Sequence, residues 1–424
     1  MKIALVIEHF DATRGGAEAI TVWLSGQLAA AGHDVSVLCH DHTPRFNRYH
    51  AASHGASHDA ERSRQSISAA IPDPPAGVRV HRLRGLKLRT GMGFRMFGRR
   101  AAAWCTENAP DIIHSMTVAC PGDLYHPHAG VYASIHEQAV ASRETTRQAA
   151  LKRWMLQFSD KQQTLLKLER RALASPQHGG ARQILCLGAT MMSDFQRHYH
   201  VHHDRLIRLD NPLMTPAPCP ALLLEYRDWF RSHYNLAPQD RVALFAGHDF
   251  RRKGLIWAIR TLALTQDPWK LLVVGLGKTR DFLRLAQSLG LADRVIFVGP
   301  TREMSRAYAS ADALLFPTFY ESFGLVALEA MAHGLPVVST RFLGCFDLVE
   351  RHHAGTIVNS PTDVQAMAHA LDALPRSPAD RIKLANLARK AGQGLDPESY
   401  LKKLEAIYQN CLDLKRSRRY TGPA

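Results

Sequence analysis

The chain opens on two changes of hydrophobic period. Residues 2–7 form a short aliphatic run, and 17–31 place apolar side chains at helical spacing up to a stop at Gly32. Residues 34–39 then return to a short apolar run, and a Gly-containing loop at 13–16 joins the first run to the helix. This alternation predicts a βαβ unit with parallel strands. The same reading puts strands at 78–82, 112–115 and 183–187, a strand leaving the first domain at 206–213, and helical structure over 142–173. Residues 41–75 are rich in His, Ser, Ala and Pro without an apolar period, which predicts a long flexible insertion.

A second alternating series follows. Five apolar runs, at 242–247, 270–275, 295–299, 313–317 and 336–340, are separated by helical stretches and predict a doubly wound parallel sheet. Four prolines at 212–220 suit a hinge. The expected architecture is α/β, with two Rossmann-like doubly wound parallel-sheet domains facing across a cleft. The first covers 1–213, with 41–75 as its insertion, and the second 214–395; residues 396–424 form a terminal helix and basic tail. A length of 424 residues, 46% of them hydrophobic, suffices for two cores. No apolar run approaches the ~20 residues needed to cross a bilayer. Seven scattered cysteines without a CxxC pair predict free thiols in a reducing compartment.

Charge narrows the partners. A formal net charge of +15 suits nucleic acid, an anionic membrane or phosphorylated small molecules. The basic residues cluster at 81–100, 168–174, 249–254 and 414–419, although each cluster also reads as a solvated face. Residues 81–104 interleave seven Arg or Lys with Leu, Met, Phe and Trp104, a pattern suited to an anionic leaflet. No nucleic-acid-reading motif accompanies the charge, so nucleic acid is the weaker expectation.

Candidate chemistry sits where predicted strands give way to helices. After "VALFAG" comes "HDFRRKG", with Arg252 and Lys253 just before a helix start. Two cations beside a helix N-terminus suit a diphosphate. After "ALLFP" comes "TFYESFG", where amides of Phe323, Gly324 and Leu325 are placed to approach phosphate or sugar. Carboxylates do not bind phosphate, so Glu321 and Glu329 are candidate acceptors for hydroxyl groups, and both needs are met by a nucleotide sugar. The alternative makes Glu329 a buried helix residue with a structural partner and Glu321 a surface-loop residue. His50, His54 and His58 share a spacing of four, but their Ala-Ser-Gly surroundings argue against a metal site.

The Glu321-x7-Glu329 spacing, the "RKG" loop upstream and the "GG" after the first strand resemble the GT-B family 4 retaining glycosyltransferases. Within that family "LLKLERRAL", "MMSDFQRHY", "HDFRRKG" and the "YES…GLVALEA" region are most similar to the lipopolysaccharide inner-core heptose glucosyltransferases. The resemblance implies ribose contacts at Glu329, a donor-sugar contact at Glu321 and diphosphate neutralisation by Arg252 and Lys253. It implies base recognition near Gly299 and Pro300 with help from Arg302, and a cleft lining at Gly15 and Gly16. A His beside the donor sugar is implied in "DLYHPHAGVYAS"; His128 is favoured, with His126 and Asp123 open. The helix around 398–413 is expected to pack back on the first domain. The implied activity is hexosyl transfer, glucose favoured, from a UDP-sugar to a sugar of a lipid-linked glycan such as lipopolysaccharide core. No metal or other cofactor is expected, since no DxD triplet occurs. The implied location is cytoplasmic, peripheral to the inner face of the membrane through 81–104. GDP-mannose or UDP-GlcNAc as donor, and a nucleic-acid-binding protein, are the alternatives.

Overall fold

The computed structural model describes residues 1–41, 74–392 and 394–420. Its first sheet contains β1 (Lys2–His9), β2 (Asp34–Asp41), β3 (Val78–Arg82), β4 (Ile112–Ser115), β5 (Leu124–Tyr125), β6 (Gln183–Cys186) and β7 (Leu206–Arg208). Its second contains β8 (Val242–Ala246), β9 (Lys270–Val274), β10 (Val295–Gly299), β11 (Ala313–Phe316), β12 (Val337–Thr340) and β13 (Gly355–Val358). The orders are β3-β2-β1-β4-β5-β6-β7 and β10-β9-β8-β11-β12-β13. All the pairings are parallel. The central strands are short, fully buried aliphatic runs, as helices on both faces of a parallel sheet require.

Both sheets reverse direction at one point, between β1 and β4 in the first and between β8 and β11 in the second. The loops leaving the carboxyl ends of those strand pairs diverge, and the crevice between them is where ligands bind in doubly wound sheets.

Four local expectations change. β5 lies inside the 123–134 stretch expected as a loop; two residues carry no periodic signal, and pairing with β4 and β6 makes them a strand. β13 escaped the sequence reading because GTIV is only partly buried at the sheet edge. The strand expected over 206–213 is three residues long. The helical stretch 142–173 is two helices, Thr146–Phe158 and Asp160–Leu173, broken at Ser159, whose hydroxyl accepts from the Gln162 amide at 3.4 Å. The proposed insertion, with His50, His54 and His58, lies within 42–73 and so outside the described residues, apart from its edges.

The helix Pro397–Tyr420 buries Tyr400, Leu404, Tyr408 and Cys411 in the core of the first domain, beside Ile3, Ile112 and Leu185. Six of the seven cysteines are buried and all are free thiols. Within 81–104 the apolar residues mostly serve the core: Leu88, Phe94 and Phe97 are buried, and Trp104 packs at 4.8 Å from the His81 ring. Leu86 and Met92 of this stretch are exposed, and a denser group of exposed large apolar residues lies on Thr146–Phe158, at Leu151, Trp154, Met155 and Phe158.

Candidate active site

The second-domain wall is built at its sheet reversal. β8 and β11 are neighbours, with Ala313 opposite Ala243 and Leu314 opposite Leu244. Adjacent carboxyl ends therefore bring the loop after β8, carrying Arg252 and Lys253, against the loop after β11, carrying Glu321. Lys253 Nζ and Arg252 Nη1 each donate to Glu321 Oε1 at 2.8 Å. Arg252 also donates to the Tyr320 carbonyl and pairs with Asp249 at 3.2 Å. Lys253 is only 8% exposed, and its ammonium stands 4.8 Å from the Phe316 ring centre. The two expected cations are thus not a free diphosphate cradle. They are bound to the carboxylate expected to serve the sugar, so all three respond together to anything entering the crevice.

Burial alone would raise the Glu321 carboxyl, but Lys253 and Arg252 outweigh it and hold it below the ordinary carboxylate range. Burial is also the first influence on Lys253; it lowers the ammonium, Arg252 adds to this, and Glu321 only partly opposes. At neutral pH Glu321 is ionised.

Gly324 begins the helix Leu325–Ala332 with φ +98°, and a Cβ there would meet Leu343 Cδ1 at 2.3 Å. No other residue turns the chain here without strain and collision. Phe323 is buried and its carbonyl accepts from the Cys345 amide at 2.8 Å, so its side chain anchors the loop rather than facing the crevice. Glu329, one turn into the helix, accepts from the Tyr308 hydroxyl at 2.6 Å, and burial raises its carboxyl despite that bond. The structural partner considered for Glu329 is therefore present. Gly299 ends the outer strand β10 on the same carboxyl edge, and Arg302 beyond it is exposed.

The first domain faces this wall closely. A Cβ on Gly16 would lie 2.9 Å from Leu325 Cδ1, so the Gly15–Gly16 loop passes directly over the N-terminus of that helix. The loop carrying His128 is tied to both sides of Glu321. Ser322 Oγ donates to the His128 carbonyl at 2.6 Å, and the Val131 amide donates to the Tyr320 hydroxyl at 2.7 Å. Gly130 packs so tightly on Tyr320 that a Cβ would fall 2.4 Å from its ring.

Behind His128 runs a histidine file. The His126 and His128 rings are 4.1 Å apart, His114 Nε2 is 3.1 Å from His126 Nδ1, and His114 Nδ1 is 2.7 Å from the Tyr408 hydroxyl. Burial pushes His114 and His128 down to about 3 and His126 well below its ordinary value. All three are neutral at physiological pH. Asp123 is removed from the crevice: it accepts from the Ile113 amide at 2.9 Å and pairs with Lys415 of the terminal helix at 3.0 Å.

Two family models match the chain: "Glycosyltransferase Family 4" over residues 14–213 and "Glycosyl transferases group 1" over 240–376. The first domain is thus similar to family 4 glycosyltransferases and the second to group 1 glycosyl transferases. It is 30% identical over 245 residues to the lipopolysaccharide glucosyltransferase WaaG of Escherichia coli, covering 57% of this chain and 65% of that enzyme's length. The crystal structure of WaaG superposes with a TM-score of 0.69 at 22% identity, over 97% of this chain and 99% of that one. The Anabaena protein HepE, solved with UDP and glucose, gives 0.64 at 17% identity, over 96% and 99%. The family's GT-B fold, two such domains across a cleft, is the fold of this chain.

The tertiary structure thus gathers Glu321, Arg252, Lys253, Gly324, Leu325, Gly16 and the His128 loop at one crevice, and leaves Asp123 and the Phe323 side chain out of it. Sequence reasoning missed Tyr320, Ser322 and Tyr308. The first two lie inside the quoted motif but carry no spacing signal, and Tyr308 is remote in sequence from its partner.

Proposed function

We propose that this protein is a retaining, metal-independent hexosyltransferase. It takes glucose from a UDP-sugar and adds it to a sugar of a lipid-linked glycan such as lipopolysaccharide core. The observation that carries the reading is the joint hold of Arg252 and Lys253 on Glu321 at the reversal of the second sheet. A diphosphate entering the crevice competes for both cations and frees the carboxylate for the hydroxyls of the donor sugar. Transfer develops negative charge on the leaving β-phosphate, and two pre-aligned cations with the N-terminal amides of Leu325–Ala332 stabilise it. The carboxylate Glu321 lies on the sugar side, where positive charge develops. A front-face course, in which the departing phosphate takes the acceptor's proton, is the course that the family resemblance implies.

A lipid-linked acceptor calls for a membrane surface. The helix Thr146–Phe158, with Trp154 and Phe158 exposed beside Arg147 and Arg153, suits an anionic leaflet better than the largely core-facing 81–104 segment. No helix among the described residues is long and apolar enough to cross a membrane.

Calorimetric titration with UDP, GDP and UDP-glucose tests the donor. UDP and UDP-glucose binding, weakened in Lys253→Ala and Glu329→Ala, is expected. Selective binding of GDP would move the donor to GDP-mannose, and no binding to any of them would overturn the reading of this crevice.

A further inference from the structure

The first sheet reverses between β1 and β4 just as the second does between β8 and β11, and an open-mouthed cavity lies at that reversal. This cavity of about 190 Å³ is lined by Glu8 and His9 at the end of β1, by Met116, Thr117 and Val118 after β4, and by Lys161 from the helix Asp160–Leu173. Tyr125, Tyr132, Phe94 and Leu88 supply aromatic and apolar walls. Pro127 and Ala129 close one side, and they belong to the loop that Ser322 and Tyr320 hold against the donor wall.

Its polar groups are few and directed. Thr117 Oγ1 donates to Glu8 Oε1 at 2.5 Å, fixing the carboxylate. Lys161 makes no ion pair among the described residues; its ammonium rests 5.2 Å from the Phe94 ring centre. A carboxyl group that burial raises, with no cation bonded to it, and an ammonium that burial lowers, with no carboxylate bonded to it, share one small aromatic-walled space. No part of the donor chemistry uses either.

We propose that this cavity is the acceptor-reading pocket, and that it takes one neutral sugar ring. The ring's hydroxyls donate to Glu8 and accept from Lys161 while its C–H face lies on the aromatic wall. An uncharged polyol satisfies both groups at once. A phosphate would pair with Lys161 but leave the Glu8 carboxyl facing a like charge, and an apolar group would leave both polar groups desolvated and without hydrogen bonds. The volume admits a single ring, so the rest of the acceptor glycan leaves through the cavity mouth. This assignment rests on the sugar-transfer reading and specifies its acceptor side. Glu8 and Lys161 become specificity-determining residues, and they act on a substrate other than the one bound by Lys253 and Arg252.

The test is saturation-transfer NMR on UDP-loaded full-length protein with the methyl glycosides of heptose, glucose, mannose and galactose, on wild type, Glu8→Gln, Lys161→Met and Thr117→Val. At least one glycoside is expected to bind the wild type. Its apparent Kd should rise about tenfold or more in Lys161→Met, which removes the donor, and in Glu8→Gln, which removes the charge behind the acceptor, and less in Thr117→Val, which leaves both groups in place. UDP affinity, measured on the same samples, should stay within twofold, which also shows that the variants are folded. No glycoside bound to UDP-loaded wild type, or equal affinities across the series, would overturn the pocket assignment while leaving the donor site standing. Failure of the wild type to bind UDP would overturn the sugar-transfer reading beneath it.

Discussion

The two sheet reversals of this protein have the same topology and opposite electrostatics. At the second, Glu321, Arg252 and Lys253 meet in a buried ionic knot. At the first, Glu8 is held by a hydroxyl, and the histidines around the adjoining loop are neutral. A topology therefore provides a crevice, and the side chains at the ends of the first and fourth strands decide what enters it. Fixed cations suit a leaving group that gains negative charge, whereas an aromatic wall with one carboxyl group and one ammonium, neither bonded to an opposite charge, suits an incoming uncharged sugar.

The largest expected effect tests the charged side. Lys253→Ala should lower kcat by about 10²–10³, the usual consequence of removing one stabilising donor. It should also destabilise the fold, because Glu321 then keeps only Arg252 in a buried site. The double variant Glu321→Gln/Lys253→Met should recover melting temperature without recovering turnover. Recovery of both would show that the knot is structural only.

A smaller effect is expected at the seam between the two sides. Tyr320→Phe removes the acceptor for the buried Val131 amide, a cost of about 1–3 kcal/mol. Because that bond joins the domains, the variant should raise the KM for donor and acceptor together. A change confined to one substrate would mean that the two walls are not coupled through this loop.

The smallest effect separates the sides by pH. His114 and His128 sit at about 3 in the folded protein against an ordinary 6.5, so their stabilising contribution is present above pH 6.5 and is lost as pH falls toward 3. Glu169, which burial raises to about 7, acts in the opposite sense: its contribution is present at low pH and lost as pH rises through 7. The comparison of variants is therefore diagnostic. Melting temperature should fall less from pH 7 to pH 5 in His126→Leu than in wild type, since fewer buried rings then resist protonation. Equal slopes would remove the histidine file as the acid-sensitive element.

Much of this arrangement was legible in the sequence. β1, β8, β9 and β11 stand out as short, largely aliphatic runs, because strands covered on both faces of a parallel sheet need apolar residues at nearly every position. The loops after β8 and β11 could be picked out because Gly254 and Gly324 mark helix starts next to charged residues. β5 could not, since a two-residue strand has no period. Nor could the pairing of Glu321 with Lys253, 2.8 Å apart in space and far apart along the chain. The apolar residues of 81–104 misled for a related reason: composition reveals an amphipathic helix but not which surface its apolar face covers.

The sequence by itself determined the two-domain α/β architecture and the residues that carry charge at the strand ends. Local periodicity and turn chemistry are written in neighbouring residues, which is why those features could be read. Only the tertiary structure decided that Glu321 is bound by both cations, that Glu329 meets Tyr308, and that Asp123 turns to Lys415. It alone placed the Glu8–Lys161 cavity beside the loop that Tyr320 and Ser322 hold. Each of these depends on strand order and domain closure. Contacts of that kind join residues through space, with free energies set by burial and geometry that no stretch of neighbouring residues records.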